Sequence, residues 1–302
     1  MQPGMYHIPV LLDEVIGGLQ IAPSGIYVDC TFGGGGHSMA ILARLGKEGK
    51  LIVFDQDQDA RNNVPDDARV TFVPHNFRHL TRFLRLHKIV QVHGILADLG
   101  VSSHQFDTPE RGFSTRFNGS MDMRMDTRQE FKASEVVKTY TEARLHKLFE
   151  QYGEVTNSKT LAKTIVQLRG SVPMDSISQF KSAINGSVKG NPNKYFAQVF
   201  QALRIEVNDE FGALKEMLLQ VEEVLLPGGR IAVITFHSIE DRIVKNFFKK
   251  GSFNVTETDE IYGSRQVNPF NLITKKPVIA SAEELKKNVR SGSAKLRIAE
   301  KK

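Results

Sequence analysis

Short apolar runs recur along the first third of the chain, and segments of helix length separate them. Runs of this kind are typical of strands that are buried on both faces of a parallel sheet. Crossovers between such strands are almost always right-handed. The pattern therefore predicts an α/β fold whose first four strands lie at residues 26–29, 50–55, 69–74 and 92–99.

A fifth strand is predicted only at residues 230–236, after the helix stop at 225–229. The gap before it is far longer than one crossover, which needs a dozen or more residues. Residues 108–207 show helical periodicity and no strand pattern. We therefore predict two domains, a discontinuous α/β domain of residues 1–107 and 208–302 and an inserted small all-helical domain of residues 108–207.

Two helices are predicted inside the insert. Ser134 is placed to cap a helix that runs to about residue 153, and Ser158 opens another that Gly170 ends.

After these helices, the apolar residues at 196–225 step by three and four. This spacing predicts one long helix or two helices joined near Asn208, and Gly212 favours two. Weaker strand patterns at 252–255 and 271–279 predict an edge hairpin.

Composition is that of a globular chain, with 40% hydrophobic and 25% charged residues. The single cysteine, Cys30, excludes an intramolecular disulfide and a cysteine-rich zinc site. His75 and His79 lack a third ligand, so we expect no metal. Because no apolar stretch is long enough for a membrane anchor and no signal-peptide pattern is present, we expect a cytoplasmic protein.

Positive charge is concentrated at the C-terminus of a chain whose net charge is +6. Between residues 286 and 302 the only acid is Glu300, and Leu296 and Ile298 provide apolar anchors. Such a tail can dock and still face phosphates, or it can simply be solvated, and charge alone leaves both open. Its basic residues are Lys286, Lys287, Arg290, Lys295, Arg297, Lys301 and Lys302.

A glycine cluster, Gly33 to Gly36, follows the first strand and opens a helix. Glycine lets backbone amides approach a ligand closely. Asp55 ends the second strand, close to the separation of about 20 residues at which an acid accepts hydrogen bonds from a ribose. The combination predicts a nucleoside-type cofactor, and the alternative is a tight turn with a capping acid.

The dinucleotide pattern G-x-G-x-x-G is incomplete, because Gly33 and Gly35 match but Ser38 takes the third position. This disfavours NAD but does not exclude it. S-adenosylmethionine has no pyrophosphate and needs an open loop, an acid for its ribose and apolar cover for its adenine, all of which this architecture can supply. Phe77, after the third strand, is either a neighbour of the adenine or a core residue.

Polar residues also follow the fourth and fifth strands, at 98–105 and 236–241, where a doubly wound sheet presents its ligands. Met and charged residues alternate at 121–126, which an ordinary half-buried strand would also explain. Neither a phosphate loop of the G-x-x-x-x-G-K-[ST] kind nor a G-x-S-x-G nucleophile elbow occurs.

Ten sequence blocks run from His7 to Arg297, at residues 7–12, 29–37, 98–103, 111–114, 122–126, 152–154, 200–205, 207–210, 236–241 and 293–297. Taken together, these blocks closely resemble the bacterial 16S rRNA cytosine-N4 methyltransferase family of the MraW type. The match covers essentially the whole chain.

The resemblance implies a Rossmann-like S-adenosylmethionine-dependent methyltransferase with a helical insert, acting on the exocyclic N4 of a cytidine in the decoding region of 16S rRNA. It also implies a set of cofactor contacts. With Gly33 from the loop pattern, these are Gly35, Gly36, His37, Asp55, Phe77, Asp98 and Gln105.

Four places depart from the family pattern. Cys30 replaces a usual glycine, and His104 replaces a common proline beside Gln105. Residues 193–199 and Gly292 differ where RNA contacts are expected.

We expect Asp98 to orient or accept a proton from N4, with Asp122 and Asp126 as competing candidates, because the methionine amino group also competes for Asp98. Candidate contacts to the 16S rRNA or the small ribosomal subunit are Arg124, Arg204, Asn208, Arg290, Lys295 and Arg297. Two alternatives remain, a non-enzymatic ribosome-assembly protein that binds RNA and a nicotinamide-dependent oxidoreductase. Homodimer formation is left open.

Overall fold

The computed structural model describes residues 9–253 and 267–302. The chain separates into two compact units, which are described one at a time. The first comprises the residues up to Gly100 and from Gly212 onward, and the second comprises Val101–Phe211.

The first unit contains a seven-stranded sheet of order β3-β2-β1-β4-β5-β7-β6. Strands β1 to β5 pair in parallel, and β7 runs antiparallel to both of its neighbours. The α/β class predicted from the sequence is confirmed. The strands are β1 (Ile26–Asp29), β2 (Lys50–Phe54), β3 (Val70–Val73), β4 (Val92–Asp98), β5 (Leu225–Thr235), β6 (Phe270–Leu272) and β7 (Lys295–Lys301).

Helices cover both faces of this sheet. Each face packs against its own apolar cluster. Side chains alternate between the faces along β4, so Ile95 lies in the first cluster and Leu96 in the second. The first cluster is completed by α3, α10 and α11, and the second by α1 and α2. These helices are α1 (Leu12–Leu19), α2 (Gly36–Leu42), α3 (Leu80–Leu86), α10 (Glu210–Val224) and α11 (Ser238–Lys250), and a short α12 (Ala282–Lys287) precedes β7.

The end of the chain differs from the sequence-based prediction. In the segment 286–302, which we expected to be a basic tail, residues 289–293 form a 3-10 turn and residues 295–301 form β7, which inserts between β5 and β6. The predicted hairpin at 271–279 reduces to the short β6 and an isolated bridge from Val278 to Leu296. Residues 252–253 form no strand, and 254–255 lie outside the described residues.

The second unit is helical and has an apolar core of its own, formed by residues between Phe113 and Val207. Its helices are α4 (Ser103–Asp107), α5 (Ala133–Thr139), α6 (Glu142–Gln151), α7 (Ser158–Leu168), α8 (Ile177–Ile184) and α9 (Pro192–Asn208).

Three local predictions can be compared with this unit. The single helix after Ser134 is wrong, because Tyr140 is extended and Thr141 caps a new helix through the Arg144 amide. The break between α9 and α10 is confirmed and lies at Asp209, which adopts a left-handed conformation with φ of 46°. Residues 121–126 are not a strand, although Met121 and its two neighbouring methionines are buried.

Across residues 9–253 and 267–302, no helix combines the length and the apolar character needed to cross a membrane.

Candidate active site at the carboxyl edge of the sheet

Three aspartates stand at the carboxyl ends of neighbouring parallel strands. Asp29 ends β1, Asp55 follows β2, and Asp98 ends β4. Because β2, β1 and β4 are adjacent in the sheet, their carboxyl ends share one edge. This is the edge where open α/β sheets bind ligands.

The glycine loop after β1 has the conformation that its sequence requires. Gly33 and Gly35 have φ values of 51° and 78°, a region that favours glycine. A Cβ on Gly34 would meet nothing within 4 Å, so this part of the loop is open to a ligand. At Gly36, by contrast, a Cβ would lie 2.4 Å from Pro9, so this glycine is required by packing.

Asp55 holds this loop in place. Its Oδ2 accepts a hydrogen bond from the Gly33 amide at 2.8 Å, and its Oδ1 accepts one from the Asp57 amide at 2.8 Å. Burial raises the pKa of Asp55 to about 6, and these two bonds only partly oppose the rise. Since each carboxylate oxygen has two lone pairs, both can still accept a ribose hydroxyl.

Asp29 is a site residue that the sequence analysis did not name. Its side chain is almost fully buried, and its Oδ2 accepts a bond from the Ser38 hydroxyl at 2.7 Å. Its Oδ1 accepts the Thr31 amide at 2.9 Å, and the Thr31 hydroxyl accepts the Asp98 amide at 2.7 Å. Asp29 therefore connects the glycine loop to the end of β4. An acid that closes an apolar strand was the pattern that could have revealed it.

Asp98 has an oxygen with no partner. Its Oδ1 is buried and forms no hydrogen bond with any described residue. Its Oδ2 lies 3.6 Å from Nδ1 of His37. Burial raises the pKa of Asp98 to about 6, with nearby Asp29 and Glu240 contributing and His37 opposing. The Oδ1 atom of Asp98 is thus a buried hydrogen-bond acceptor without a donor.

His37 is oriented by the backbone. Its Nε2 lies 2.9 Å from the carbonyl oxygen of Val10, which can only accept, so Nε2 carries the hydrogen. Nδ1 therefore faces Oδ2 of Asp98 across 3.6 Å, which is too long for a direct hydrogen bond.

Phe77 begins a short 3-10 turn after β3, and Asn76 caps the turn. Its ring is half-buried against the apolar cluster that contains Phe54. One side thus belongs to the core while the other remains accessible, which is compatible with both interpretations of the sequence.

The remaining candidate catalytic and cofactor residues lie in the helical unit. Gln105 is buried, and its Oε1 accepts the Ser102 amide in a capping box at the start of α4. Asp122 is paired with Arg124 at 2.7 Å. Burial of Asp122 is outweighed by the hydrogen bonds and charge of Arg124, so the pKa of Asp122 is lowered. Asp126 is paired with Arg128 at 2.7 Å.

Three RNA candidates of the helical unit form internal contacts. Arg124 donates to the Thr127 carbonyl as well as to Asp122. Arg204 pairs with Glu210 at 2.8 Å. Asn208 is buried, and its Oδ1 accepts the Met125 amide at 2.7 Å. Its Nδ2 donates to the Met123 and Arg204 carbonyls, which uses both of its hydrogens.

The C-terminal candidates differ in exposure. Arg297 is 6% exposed, and its Nε donates to Oδ1 of Asp241 at 2.6 Å, so the expectation that it faces phosphates from a tail is wrong. Lys295 is partly exposed at the start of β7, 3.9 Å from the same carboxylate. Arg290 is half-buried in the 3-10 turn Val289–Ser293.

Comparison with known protein families identifies the family of the chain. The model of the MraW methylase family matches residues 4–302. The chain belongs to this family. The resemblance found in the sequence is thus confirmed, and membership of a methylase family decides against the assembly-protein and oxidoreductase alternatives.

Curated relatives match over nearly the whole chain. A protein of Bacteroides fragilis called ribosomal RNA small subunit methyltransferase H is 52% identical over 298 residues, 98% of each chain. One of the same name from Flavobacterium johnsoniae is 52% identical over 297 residues, again 98% of each. Among solved structures, an rRNA methylase from Streptococcus thermophilus covers 96% of this chain and 93% of its own, with 14% identity and a TM-score of 0.37. A likeness this distant adds nothing to the assignment.

Proposed function

We propose that this methylase transfers a methyl group from S-adenosylmethionine to the exocyclic N4 of a cytidine in the decoding region of 16S rRNA. The observation that carries the site assignment is the buried, unpartnered Oδ1 of Asp98 at the end of β4, next to the glycine loop. The family match and the names of the curated relatives support the reaction and the RNA class.

The residues at the edge fit the cofactor. Gly34 leaves open space for its amino-acid end, Asp55 retains acceptor capacity for ribose hydroxyls, and Phe77 offers a half-buried ring for adenine. Asp98 supplies an acceptor in need of a donor. When bound, S-adenosylmethionine supplies a methyl group on a sulfonium, which makes that carbon electrophilic.

The amino group of cytosine is a poor nucleophile, since its lone pair is delocalised into the ring. Alignment of N4 with the methyl carbon therefore has to lower the barrier, and such positioning is worth roughly 7–11 kcal/mol. An acceptor for N4–H is also required as the bond forms.

We assign the acceptor role to Asp98. With a pKa of about 6, its carboxylate is ionised at neutral pH and is a stronger base than an ordinary aspartate. Asp122 and Asp126 are weaker candidates, because each is already paired with an arginine.

The RNA has to present its base to this edge. A paired or stacked cytidine must leave the stack at a cost of a few kcal/mol, and contacts with flanking RNA have to repay it. Lys295 and Arg290 are the candidates that we retain for phosphate contacts. Because rRNA is the substrate, we place the activity in the cytoplasm.

Methyl transfer from labelled S-adenosylmethionine tests the function. The acceptors are small ribosomal subunits and free 16S rRNA from a strain that lacks the enzyme, and digestion to nucleosides is followed by mass spectrometry. We expect label in N4-methylcytidine, and the better acceptor identifies the substrate state. Label in another nucleoside, or none in either acceptor, contradicts the proposal.

Asp98→Asn separates two roles of this carboxylate. If Asp98 accepts from N4, kcat falls roughly 10²–10⁴-fold while the Kd for S-adenosylmethionine changes little. If its partner is instead the cofactor's ammonium group, the Kd rises and saturating cofactor restores much of kcat. Wild-type values of both constants would exclude both roles.

A further inference from the structure

A cavity of about 300 Å³ opens at the carboxyl end of β5. Thr235, the last residue of β5, pairs with Lys295, the first residue of β7. The antiparallel pairing therefore brings the 3-10 turn Val289–Ser293 to the edge where β5 ends. Phe236 lines the cavity together with Ser291, Gly292 and Ser293 of this turn.

The cavity and the cofactor residues lie on different halves of the sheet. The glycine loop, Asp55 and Phe77 follow β1, β2 and β3, whereas the cavity adjoins β5 and β7. In the sheet order, β4 separates the two halves, and Asp98 stands at its end. A Cβ on Gly100 would lie 3.5 Å from the Phe236 ring, so a residue that lines the cavity lies close to a position two residues beyond Asp98.

The lining combines apolar walls with groups that suit an anion. Ile279 and Leu285 line the cavity although they are 65% and 39% exposed, and exposed large apolar side chains in a concave place mark binding sites. Ser293 and Lys295, which carry a hydroxyl and an ammonium group, also line the cavity. A flat apolar ring with an attached phosphate matches this chemistry.

We propose that this cavity binds one nucleotide of the substrate RNA, directly next to the target cytidine. The inference rests on the proposed function and adds to it a site for the flanking base. A volume near 300 Å³ is at the small end of the range for ligand pockets, so it suits a single nucleotide and excludes a duplex.

Base flipping provides the physical reason for such a site. When the target leaves the stack, its neighbour loses a stacking partner. The Phe236 ring and the aliphatic walls replace that partner, and Lys295 neutralises the adjoining phosphate. Stacking on aromatic side chains is tolerant of base identity.

Gly292 offers a way to fill the cavity without disturbing the fold. It lines the cavity, is exposed, and has no left-handed conformation that would strain a side chain. The first atom that a Cβ there would meet is Leu285 Cδ2, at an ordinary 3.4 Å. Gly292→Phe therefore directs a ring towards the cavity. Gly17→Phe is the matched control, because Gly17 is exposed on α1 with nothing within 4 Å of its Cβ position.

Steady-state kinetics with small subunits and with free rRNA provide the first readout. We expect Gly292→Phe to raise the KM for the accepting RNA about tenfold, the range of one lost base stack, with an unchanged Kd for S-adenosylmethionine. Gly17→Phe is expected to match the wild type. If the two variants have the same KM, the cavity does not bind RNA.

Crosslinking provides a second readout, which maps the contact with RNA directly and does not depend on filling the cavity. A photoreactive benzoyl-phenylalanine at position 285, at the mouth of the cavity, is irradiated with bound acceptor RNA, and the attachment site is mapped by reverse transcription. We expect attachment within one or two nucleotides of the methylated cytidine. Attachment at a distant nucleotide, or none to RNA, overturns the inference.

The two proposals fail in different ways. If the wild-type enzyme labels no cytidine, the proposed function is wrong and this inference falls with it. Suppose instead that the wild type labels N4-methylcytidine, that Gly292→Phe has the same KM as Gly17→Phe, and that the crosslink does not attach next to the methylated cytidine. Then only the flanking-nucleotide site is wrong.

Discussion

Ionisation of Asp98 lowers the stability of the folded chain. Its pKa is about 6 when folded, against an ordinary value of 3.8, because it is buried with one oxygen unpartnered. The folded state thus holds the proton more tightly than the unfolded state. The contribution of Asp98 to stability is most favourable below pH 4 and is lost as the pH rises from about 4 to about 6.

The Asp98→Asn variant has no carboxyl group at this position, so it does not lose stability through this ionisation as the pH rises. We expect the free energy of unfolding of the cofactor-free variant to exceed that of the wild type by about 1–3 kcal/mol at pH 8. The difference should shrink towards pH 4.5, as measured by urea unfolding at both values. Asp122→Asn is the contrast, because its lowered pKa gives stability above the unfolded value that is lost at low pH. That variant should be less stable at pH 8, and equal behaviour of the two variants would contradict the assignment.

Asp29 acts through other residues. Replacing it with alanine leaves the Ser38 hydroxyl and the Thr31 amide without their acceptor in a buried place. Each unsatisfied group costs about 1–3 kcal/mol, so we expect Asp29→Ala to lower the free energy of unfolding by at least about 2 kcal/mol.

The same change should weaken cofactor binding, because Thr31 positions the amide of Asp98. Calorimetric titration of S-adenosylmethionine measures this effect. Asp59→Ala is the control, since Asp59 is an exposed acid near the same edge. A stable Asp29→Ala protein with wild-type affinity would show that Asp29 does not position the site.

At the scale of elements, β7 places the C-terminal basic residues in different environments. Arg297 is buried in the sheet against Asp241, which is itself only 14% exposed. Lys295 starts the strand at the edge, beside the proposed nucleotide cavity. The charge of this segment therefore divides into a structural part and a part that can meet RNA.

Single alanine variants separate these parts. Arg297→Ala leaves Asp241 without its close partner, and we expect a loss of about 3–5 kcal/mol in the free energy of unfolding. Lys295→Ala should leave stability nearly unchanged and reduce the slope of log K for RNA binding against log salt by about 1. Thermal unfolding and RNA titrations from 50 to 200 mM salt, the range over which phosphate contacts are lost, measure both effects. A reversed pattern would contradict the structural assignment of Arg297.

At the scale of the whole molecule, each compact unit has apolar clusters of its own. The core of the helical unit draws on residues between Phe113 and Val207, and the two clusters of the sheet unit draw on residues outside that stretch. The division of the chain after Gly100 and Phe211 follows this separation.

We therefore expect residues 101–211, produced alone, to fold. Circular dichroism should show a helical spectrum and one cooperative thermal transition. Phe180→Ala, at a position with 0% exposure, should lower the stability of this fragment by about 3–5 kcal/mol. A fragment without a cooperative transition would mean that the helical unit depends on the rest of the chain.

The parallel sheet, its long interruption and the glycine loop with its acid were all predictable from the sequence. Each of these depends on local pattern. Strands buried on both faces, such as β2 and β4, are apolar along most of their length, and a loop with positive φ at Gly33 and Gly35 favours glycine. The family resemblance added the reaction, because its blocks extend along the whole chain.

Which polar residues lie together depends on contacts between distant parts of the chain. Asp29 and Asp98 are far apart in sequence and meet because β1 and β4 are neighbours. A tail and a strand also look alike when charges alternate with apolar residues, and pairing with β5 made 295–301 a strand. Burial then paired Arg297 with Asp241, since an isolated charge is too costly to bury. Strand order and burial arise from contacts between distant segments, which no local pattern contains.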